Sequence, residues 1–339
     1  MVSTRRSGRI QETHKAANKT KTTKTKPSKP KKSKKSSKKS EDSDSMHLTA
    51  TLKPLLAIGP LIRGLVVCRP SKSIRSPYVA DVKLADGSTV IAHTPALDVG
   101  GLMHPGAEVW MKARPPGGKT SHSVELVTCK GPECGPEGEA LVGAHPRLAE
   151  LVTKKLLETA VLPFGGRESE TVRSQVTLGD SRVDYVIENS DSDVSDIILE
   201  VKNVVCADYH SETAPKKVND NHCVVTSSVP AEEYKRYGIF PWGRVGQEFE
   251  GKKVVSERAI KHLRNLAKLQ KKGENAKVLF VISRGDCEGF RACHEQCPVF
   301  AEELAKASSA GVDVLCAKVH WNTNGDCFYH GMIDVDMKK

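Results

Sequence analysis

Two short apolar segments near the middle of the chain constrain its fold more than any other feature. Residues 181–187 and 197–205 are rich in β-branched side chains and are bounded by Gly, Asp and Ser, which is typical of half-buried strands. Side chains alternate faces along a strand, so Glu200 and Lys202 project on the same side. If the two segments pair as a hairpin, Asp184 lies on that face beside Glu200. The sequence therefore predicts two carboxylates and one ammonium group at one spot.

These three groups are the ones that phosphodiester hydrolysis uses. Carboxylate oxygens hold Mg²⁺, with Mn²⁺ as a substitute, and leave positions open for water and a substrate phosphate. The metal lowers the pKa of a bound water, and a lysine orients or deprotonates that water. We predict that Asp184 and Glu200 bind the metal and that Lys202 positions the water. Taken alone, Glu-x-Lys on a strand more often belongs to an exposed strand with one cross-face ion pair.

Wider sequence blocks give this pattern a context. The order Asp, then Glu-x-Lys resembles the PD-(D/E)xK nuclease superfamily, with Ser-Arg-Val-Asp in place of Pro-Asp. Five blocks in order resemble the sugar fermentation stimulation protein A family, and they are residues 77–82, 101–110, 181–185, 200–204 and 256–263. The resemblance covers about residues 55–320. It implies a nucleic-acid substrate and a nuclease-like fold.

The fold that the resemblance implies is α/β. It is a restriction-endonuclease-like mixed sheet flanked by helices, preceded by a small OB-like β-barrel. We expect the barrel in residues 52–128, where five short strand-like pieces occur, and the nuclease-like domain in residues 144–339, where strands alternate with helices. Residues 206–251 are longer than the corresponding part of the family and are expected to form an insertion with a functional or mobile role.

Several cations are candidates for contact with DNA. OB-folds bind single strands through basic grooves and aromatic stacking, and the helix after Ser256 flanks the site in the family. The candidates are Arg63, Arg75, Lys119, Arg182, Lys261 and His262. Scattered surface cations explain the barrel residues almost as well, and His262 is as consistent with a structural role. Glu150 and Glu158 lie on a predicted helix, 146–158. One of them is a candidate for an extra carboxylate at the metal site; the alternative is that both lie on the solvated face of an amphipathic helix.

The basic charge of the chain is concentrated in residues 1–45. These residues hold 15 Lys and Arg and 4 Asp and Glu, so they account for the whole net charge of +11. Few apolar side chains accompany them, which predicts disorder. The run 29–39 is typical of a nuclear localisation signal or a nucleic-acid patch, and we predict a nuclear protein, with organelle targeting and simple solubilisation as alternatives.

Other compositional features limit the class of protein. The sequence has neither an apolar run long enough for a membrane span nor an apolar signal segment, so we expect a soluble intracellular protein. Ten cysteines without a signal peptide favour free thiols over disulfides. A zinc site at Cys287, Cys293, His294 and Cys297 is a weaker alternative, because the spacing is irregular.

The function that these observations favour is Mg²⁺-dependent cleavage of DNA. The alternative is a non-catalytic DNA-binding or regulatory protein on a nuclease-like fold, and an enzyme acting on RNA is a third hypothesis. The sequence indicates neither an oligomeric state nor a preference for one strand or sequence.

Overall fold

The structure is a computed structural model, and it describes residues 53–97, 99–165, 170–178, 181–191, 193–217, 219–220 and 222–338. The predicted disorder of residues 1–45 lies outside the described residues. Residues 51–339 form one unit. The described part of the chain forms three helices, which are α1 (Arg147–Glu158), α2 (Glu257–Lys271) and α3 (Pro298–Ser309).

The strands fall into two large sheets and several small ones. In chain order they are β1 (Leu56–Ala57), β2 (Ile62–Cys68), β3 (Val79–Leu84), β4 (Thr89–His93), β5 (Glu108–Ala113), β6 (His122–Lys130), β7 (Glu139–Gly143), β8 (Glu170–Leu178), β9 (Ser181–Asn189), β10 (Ile197–Val204), β11 (Cys206–Ala207), β12 (Tyr209–His210), β13 (Thr226–Ser227), β14 (Tyr237–Phe240), β15 (Gln247–Phe249), β16 (Lys252–Val254), β17 (Asn275–Ile282), β18 (Gly289–Ala292), β19 (Asp313–Trp321), β20 (Asp326–Met332) and β21 (Asp334–Asp336).

The first large sheet has six strands in the order β4-β3-β2-β5-β6-β7. A short parallel pairing between β4 and β6 joins its first strand to its fifth, so those five strands close on one another. Their inward side chains form one apolar core, which includes Val82, Val109, Met111 and Val124. The five strands predicted here are confirmed, and β7 adds a sixth strand just beyond residues 52–128.

The second large sheet has seven strands in the order β1-β20-β19-β17-β10-β9-β8. Its three central strands, β10, β17 and β19, are parallel, whereas the outer pairs are antiparallel. The sheet is therefore mixed, and the fold is α/β as predicted. The expected hairpin is present: β9 and β10 pair antiparallel from Ile197–Ile187 to Leu199–Tyr185.

Helices cover both faces of this second sheet. The apolar stripe of α1, with Leu148 and Val152, packs with Leu199 of β10, and that of α2, with Ile260 and Leu263, packs in the core that contains Ile198. Burying one such leucine or isoleucine contributes about 1.5–3 kcal/mol. Ser256 is the N-cap of α2 as predicted, because its side chain accepts a hydrogen bond from the Ala259 amide at 3.2 Å.

The stretch 206–251 contains β11 to β15. Two of these strands join a four-stranded sheet with the order β11-β14-β18-β21, so β14 pairs with strands that lie far ahead in the sequence. Such pairing leaves no local period, which is why the sequence indicated an irregular segment. None of the helices in the described ranges is long and apolar enough to cross a membrane. All ten cysteines are free thiols.

A buried ionic cluster joins these sheets. The Asp286 carboxylate accepts hydrogen bonds from Arg284 at 2.7 Å and from Arg236 at 2.8 Å, and all three side chains are at most 3% exposed. Arg284 also donates to the carbonyl of Val205 at 2.9 Å and to the sulfur of Cys129 at 3.3 Å. Burial disfavours the charge of Asp286, but the two guanidinium groups outweigh it and hold the pKa at about 2.

We predict that Asp286→Asn lowers the free energy of unfolding by about 3–5 kcal/mol, because it leaves two buried guanidinium groups without their counter-charge. Urea unfolding followed by circular dichroism measures this loss. The control is Glu248→Gln, which breaks an exposed ion pair with Lys253 and should cost at most about 1 kcal/mol. Equal, small losses in the two variants would contradict the prediction.

Candidate active site

Asp184, Glu200 and Lys202 line one cavity of about 220 Å³ between α1 and α2. The cavity lies where β9 and β10 stop pairing, just past Leu199, and the three side chains line it there. Glu150 from α1 and His262 from α2 complete its polar wall. The end of β10 thus lies between the two helices, at a point where acidic and basic groups converge.

Glu200 is the most deeply buried group of this site, with 3% of its side chain exposed. Its Oε1 atom accepts hydrogen bonds from Lys202 Nζ and from His262 Nδ1. Arg258 Nε donates to His262 Nε2 at 3.2 Å, so Nδ1 is the protonated nitrogen of that ring. Burial opposes the charge of Glu200, but the hydrogen bond from His262 and the charge of Lys202 hold its pKa below the usual value.

Asp184 is held from two sides. Its Oδ2 atom accepts from the backbone amide of Val201 at 2.7 Å, and its Oδ1 atom accepts from Gln175 Nε2 at 3.2 Å. Burial raises the pKa of Asp184, and the charge of Glu200 raises it further. The two carboxylates predicted to bind metal therefore have pKa values displaced in opposite directions.

Gln175 connects a third carboxylate to the pair. Its Nε2 atom also donates to Glu150 Oε2 at 3.2 Å, while Tyr185 donates its hydroxyl to the Glu150 carbonyl at 2.8 Å. Burial raises the pKa of Glu150, as do the charges of Asp184 and Glu200. Glu158, the other candidate on α1, instead pairs with Lys155 on the exposed face.

The backbone of Gln175 is unusual for a strand residue. Its φ of +56° lies in the left-handed region, and the ladder between β8 and β9 passes from Ser174–Tyr185 to Val176–Val183 without pairing Gln175 to Asp184. Such a conformation is costly for a residue other than glycine and is often found at functional sites. Sequence reasoning missed Gln175, because the apolar pattern of β8 carries no signal for this break.

The other residues predicted near the site have separate positions. Arg182 is exposed on β9, and its charge partly offsets the raised pKa of Glu150. Lys261 is exposed on α2 and pairs with Glu257 at 2.7 Å, whereas its neighbour His262 points into the cavity. Their contact with DNA stays a prediction.

The cations predicted in the barrel region lie elsewhere. Arg63 is on β2, where both ends of its guanidinium bind the Glu108 carboxylate at 2.9 Å. Arg75 and Lys119 are exposed on connecting segments of the same sheet. None of the three is among the described residues that line the cavity.

The cysteine-rich segment does not form a metal centre in the described part of the chain. Cys287, Cys293 and Cys297 are buried, but His294 is largely exposed. Within the described ranges, no three His, Cys, Asp or Glu side chains are arranged as ligands of one ion. The weaker alternative of a zinc site therefore has no support in the geometry.

The site geometry predicts a stability gain for Glu150→Gln in EDTA at pH 8. The folded pKa of Glu150 is raised, so its charge destabilises the fold above that pKa, and this penalty vanishes as pH falls to the ordinary value near 4.5. Glutamine keeps the acceptor for Gln175 and removes the charge. We expect a gain below about 1 kcal/mol, because the carboxylate is partly exposed and water screens it.

Urea unfolding at pH 8 and at pH 4 measures this difference. The control is Glu158→Gln on the same helix. Hydrogen bonding to Lys155 lowers the pKa of Glu158, so its amide variant should show no gain. A gain for Glu150→Gln that persisted at pH 4 would count against an electrostatic origin.

Comparison with known proteins places the chain among a set of related sequences. A family model described as "Sugar fermentation stimulation protein RE domain" matches residues 253–325. A sugar fermentation stimulation protein homolog of Maricaulis maris is 31% identical over 263 residues, covering 75% of this chain and 88% of the relative. The homolog of Syntrophotalea carbinolica is 30% identical over 261 residues, covering 76% and 88%.

A solved structure shares the fold. It is titled "The structure of Pyrococcus Furiosus SfsA in complex with Ca2+", and it superposes with a TM-score of 0.62 at 21% identity. The match covers 84% of this chain and 99% of that chain. The mixed α/β architecture is therefore common to both.

The comparisons correct the predicted localisation. The relatives come from bacteria such as Maricaulis maris and Caulobacter vibrioides, whose cells have no nucleus. The prediction of a nuclear protein is therefore wrong. A run of lysines and serines is a compositional signal, and many segments of other roles share that composition.

Proposed function

The chain belongs to the sugar fermentation stimulation protein (SfsA) family, and on that premise we propose that it is a metal-dependent nuclease that hydrolyses phosphodiester bonds in DNA. The observation that carries the proposal is the convergence of Asp184, Glu200 and Lys202 on one small cavity, with both carboxylates largely withdrawn from water. Buried acidic groups with displaced pKa values are a common property of catalytic sites.

The donor set fits a hard divalent cation. Mg²⁺ is usually held by one or two carboxylates and keeps several waters, so Asp184 and Glu200 would suffice as protein ligands. Repulsion among Asp184, Glu200 and Glu150 contributes to the raised pKa values of Asp184 and Glu150, and a cation would relieve it. The Pyrococcus furiosus relative is titled as a complex with Ca²⁺, another cation that prefers oxygen ligands.

A bound metal would lower the pKa of a coordinated water and neutralise charge on the phosphate. Lys202 would orient the attacking water. Only 12% of its side chain is exposed, and its Nζ atom lies 3.4 Å from His262 Nδ1 and in contact with Glu200. These contacts limit the positions that the ammonium group can take at the wall of the cavity.

We also propose the finer fold assignments. The seven-stranded sheet, with helices on both faces and the acidic pair on adjacent strands, supports a restriction-endonuclease-like domain within 144–339. The closed set β2 to β6 supports an OB-like barrel within 52–128. The division into these two domains remains a prediction.

The test is a cleavage assay with the purified full chain on single-stranded DNA, double-stranded DNA and RNA, in Mg²⁺, Mn²⁺ or EDTA. We expect fragments only with metal. Asp184→Asn, Glu200→Gln and Lys202→Met should each lower the rate by about 100-fold or more, since each removes a metal ligand or the group that positions the water. DNA binding by Lys202→Met should largely survive.

The matched control is Glu188→Gln, which alters a carboxylate of β9 that pairs with Arg173 on the exposed surface. It should cleave at the rate of the unaltered protein. DNA that stays intact with every cation, yet binds the unaltered protein and Lys202→Met alike, would replace the nuclease with the non-catalytic DNA-binding alternative. Cleavage of RNA alone would assign the same chemistry to the other nucleic acid.

A further inference from the structure

A second cavity, of about 500 Å³, adjoins the candidate active site. We call it the lateral groove and define it by Arg69, Tyr78, Asn203, Phe240, Trp242 and Arg244. Asn203 and Phe240 line both cavities, so the groove leads directly to the wall that carries Lys202. One of its sides comes from the six-stranded sheet and the other from the segment around β14.

Aromatic side chains form the walls of the groove. Tyr78 stands at the rim with 47% of its surface exposed. Trp242 is half-buried and packs against the apolar cluster of Cys206 and Ile239. Phe240 is held by Phe280 and Phe300, whose ring centroids lie 5.9 and 5.3 Å away. The Trp242 and Phe240 rings are packed from behind, while Tyr78 offers an exposed ring at the rim, and aromatic faces are the surfaces on which unpaired bases stack.

The charge of the groove suits a polyanion. Among the described residues that line it, both charged ones are arginines, Arg69 and Arg244. Arg69 Nη1 donates to the carbonyl of Pro77 at 2.7 Å, which fixes its guanidinium beside Tyr78. Arg244 is exposed on the opposite side. A nucleic-acid backbone passing between them would meet positive charge on both walls.

The loop that forms one wall is tightly constrained. Leu97 and Val99 have φ values of +56° and +52°, which is costly for a β-branched valine. The Gly100 carbonyl accepts a hydrogen bond from the Cys223 amide at 2.7 Å, and a Cβ on Gly100 would lie 2.5 Å from the sulfur of Cys206. This loop therefore packs closely against the segment that contains Cys206 and Cys223. Strained backbone of the kind seen at Leu97 and Val99 often occurs at functional surfaces.

We propose that the lateral groove holds a single-stranded segment of nucleic acid next to the bond that is cleaved. Bases stack on Tyr78 and Trp242, and phosphates contact Arg69 and Arg244. This inference rests on the proposed nuclease function and names its substrate class: a single strand, or a duplex with an unpaired end or flap. Bases within a duplex stack on one another and cannot offer their faces to these rings.

The size of the groove agrees with this assignment. A volume near 500 Å³ lies within the range of about 300–1,000 Å³ that is usual for sites binding one small molecule, and it is far too small for a duplex. The groove is thus suited to one or two unpaired nucleotides. The remainder of the strand would continue across Asn203 and Phe240 to the carboxylates.

The test measures binding in EDTA, so that no strand is cut. Fluorescence anisotropy of a labelled oligonucleotide of about 12 residues, within the site sizes of known single-strand binders, reports affinity for single-stranded DNA, single-stranded RNA and a duplex of the same sequence. We expect single strands to bind more tightly than the duplex. Tyr78→Ala should weaken single-strand binding about 5- to 100-fold, which corresponds to the loss of one stacked base.

Matched variants separate stacking from folding and from general charge. Tyr78→Phe keeps the ring and should bind like the unaltered protein. Arg244→Ala should weaken single-strand binding, whereas Lys253→Ala, which removes an exposed cation that lines neither cavity, should not. Thermal unfolding of each variant checks the fold, which these exposed substitutions should leave intact.

The outcomes distinguish this inference from the proposed nuclease. If Tyr78→Ala and Arg244→Ala bind single strands normally while metal-dependent cleavage is present, the nuclease stands and the groove is refuted. Equal weakening of single-strand and duplex binding refutes the groove as well. If the variants lose single-strand binding although no cleavage occurs in any metal, the groove stands without the nuclease. Binding of DNA alone, RNA alone or both identifies which strand it accepts.

Discussion

The Asp286 carboxylate and its two buried guanidinium groups hold the parts of this structure in their relative positions. Arg284 reaches the end of β10 through the Val205 carbonyl and reaches β6 through Cys129, while Arg236 donates to the Asp208 carbonyl from the far side. Removing these charges from water is costly, and an apolar cluster of equal volume would often be as stable. What the ions add is direction, because each guanidinium hydrogen requires an acceptor at one particular place. The ends of β10 and β17 are fixed by these bonds, and the site lies on β10.

The candidate active site depends on an opposition of charges. Glu200 has Lys202 and His262 as partners, so its charge is compensated within the protein and its pKa is lowered. Asp184 has only neutral donors, and its pKa is raised by burial and by Glu200. The two carboxylates share one cavity, but the described residues supply a cationic partner at hydrogen-bond distance to Glu200 and not to Asp184. The mutual repulsion of these carboxylates is what a divalent cation would offset.

The local sequence pattern was sufficient to predict individual strands and the start of a helix. The alternation along 197–204 placed Glu200 and Lys202 on one face, and Ser256 marked the start of α2. Non-local pairing defeated the same reasoning at β14, which pairs with β18 far ahead in the sequence, and β18 in turn pairs with β21. The break at Gln175 also escaped it, since that side chain turns toward Glu150 and Asp184 only because the tertiary structure overrides a strand conformation.

The strand β10 links the cavity of the candidate active site to the lateral groove. Glu200 and Lys202 point to one face, while Asn203, the next residue, faces the lateral groove and is held there by Ser283 and by the Gly143 carbonyl at 3.3 Å. Phe240 closes the boundary between the cavities and is packed against the core through Phe280 and Phe300. A ligand in the groove therefore contacts rigid neighbours of the catalytic groups rather than a separate lobe. Positioning by such fixed contacts can account for a large part of a rate enhancement, because the reacting phosphate arrives already oriented. If the proposed function holds, strand recognition and cleavage would both depend on side chains of β10.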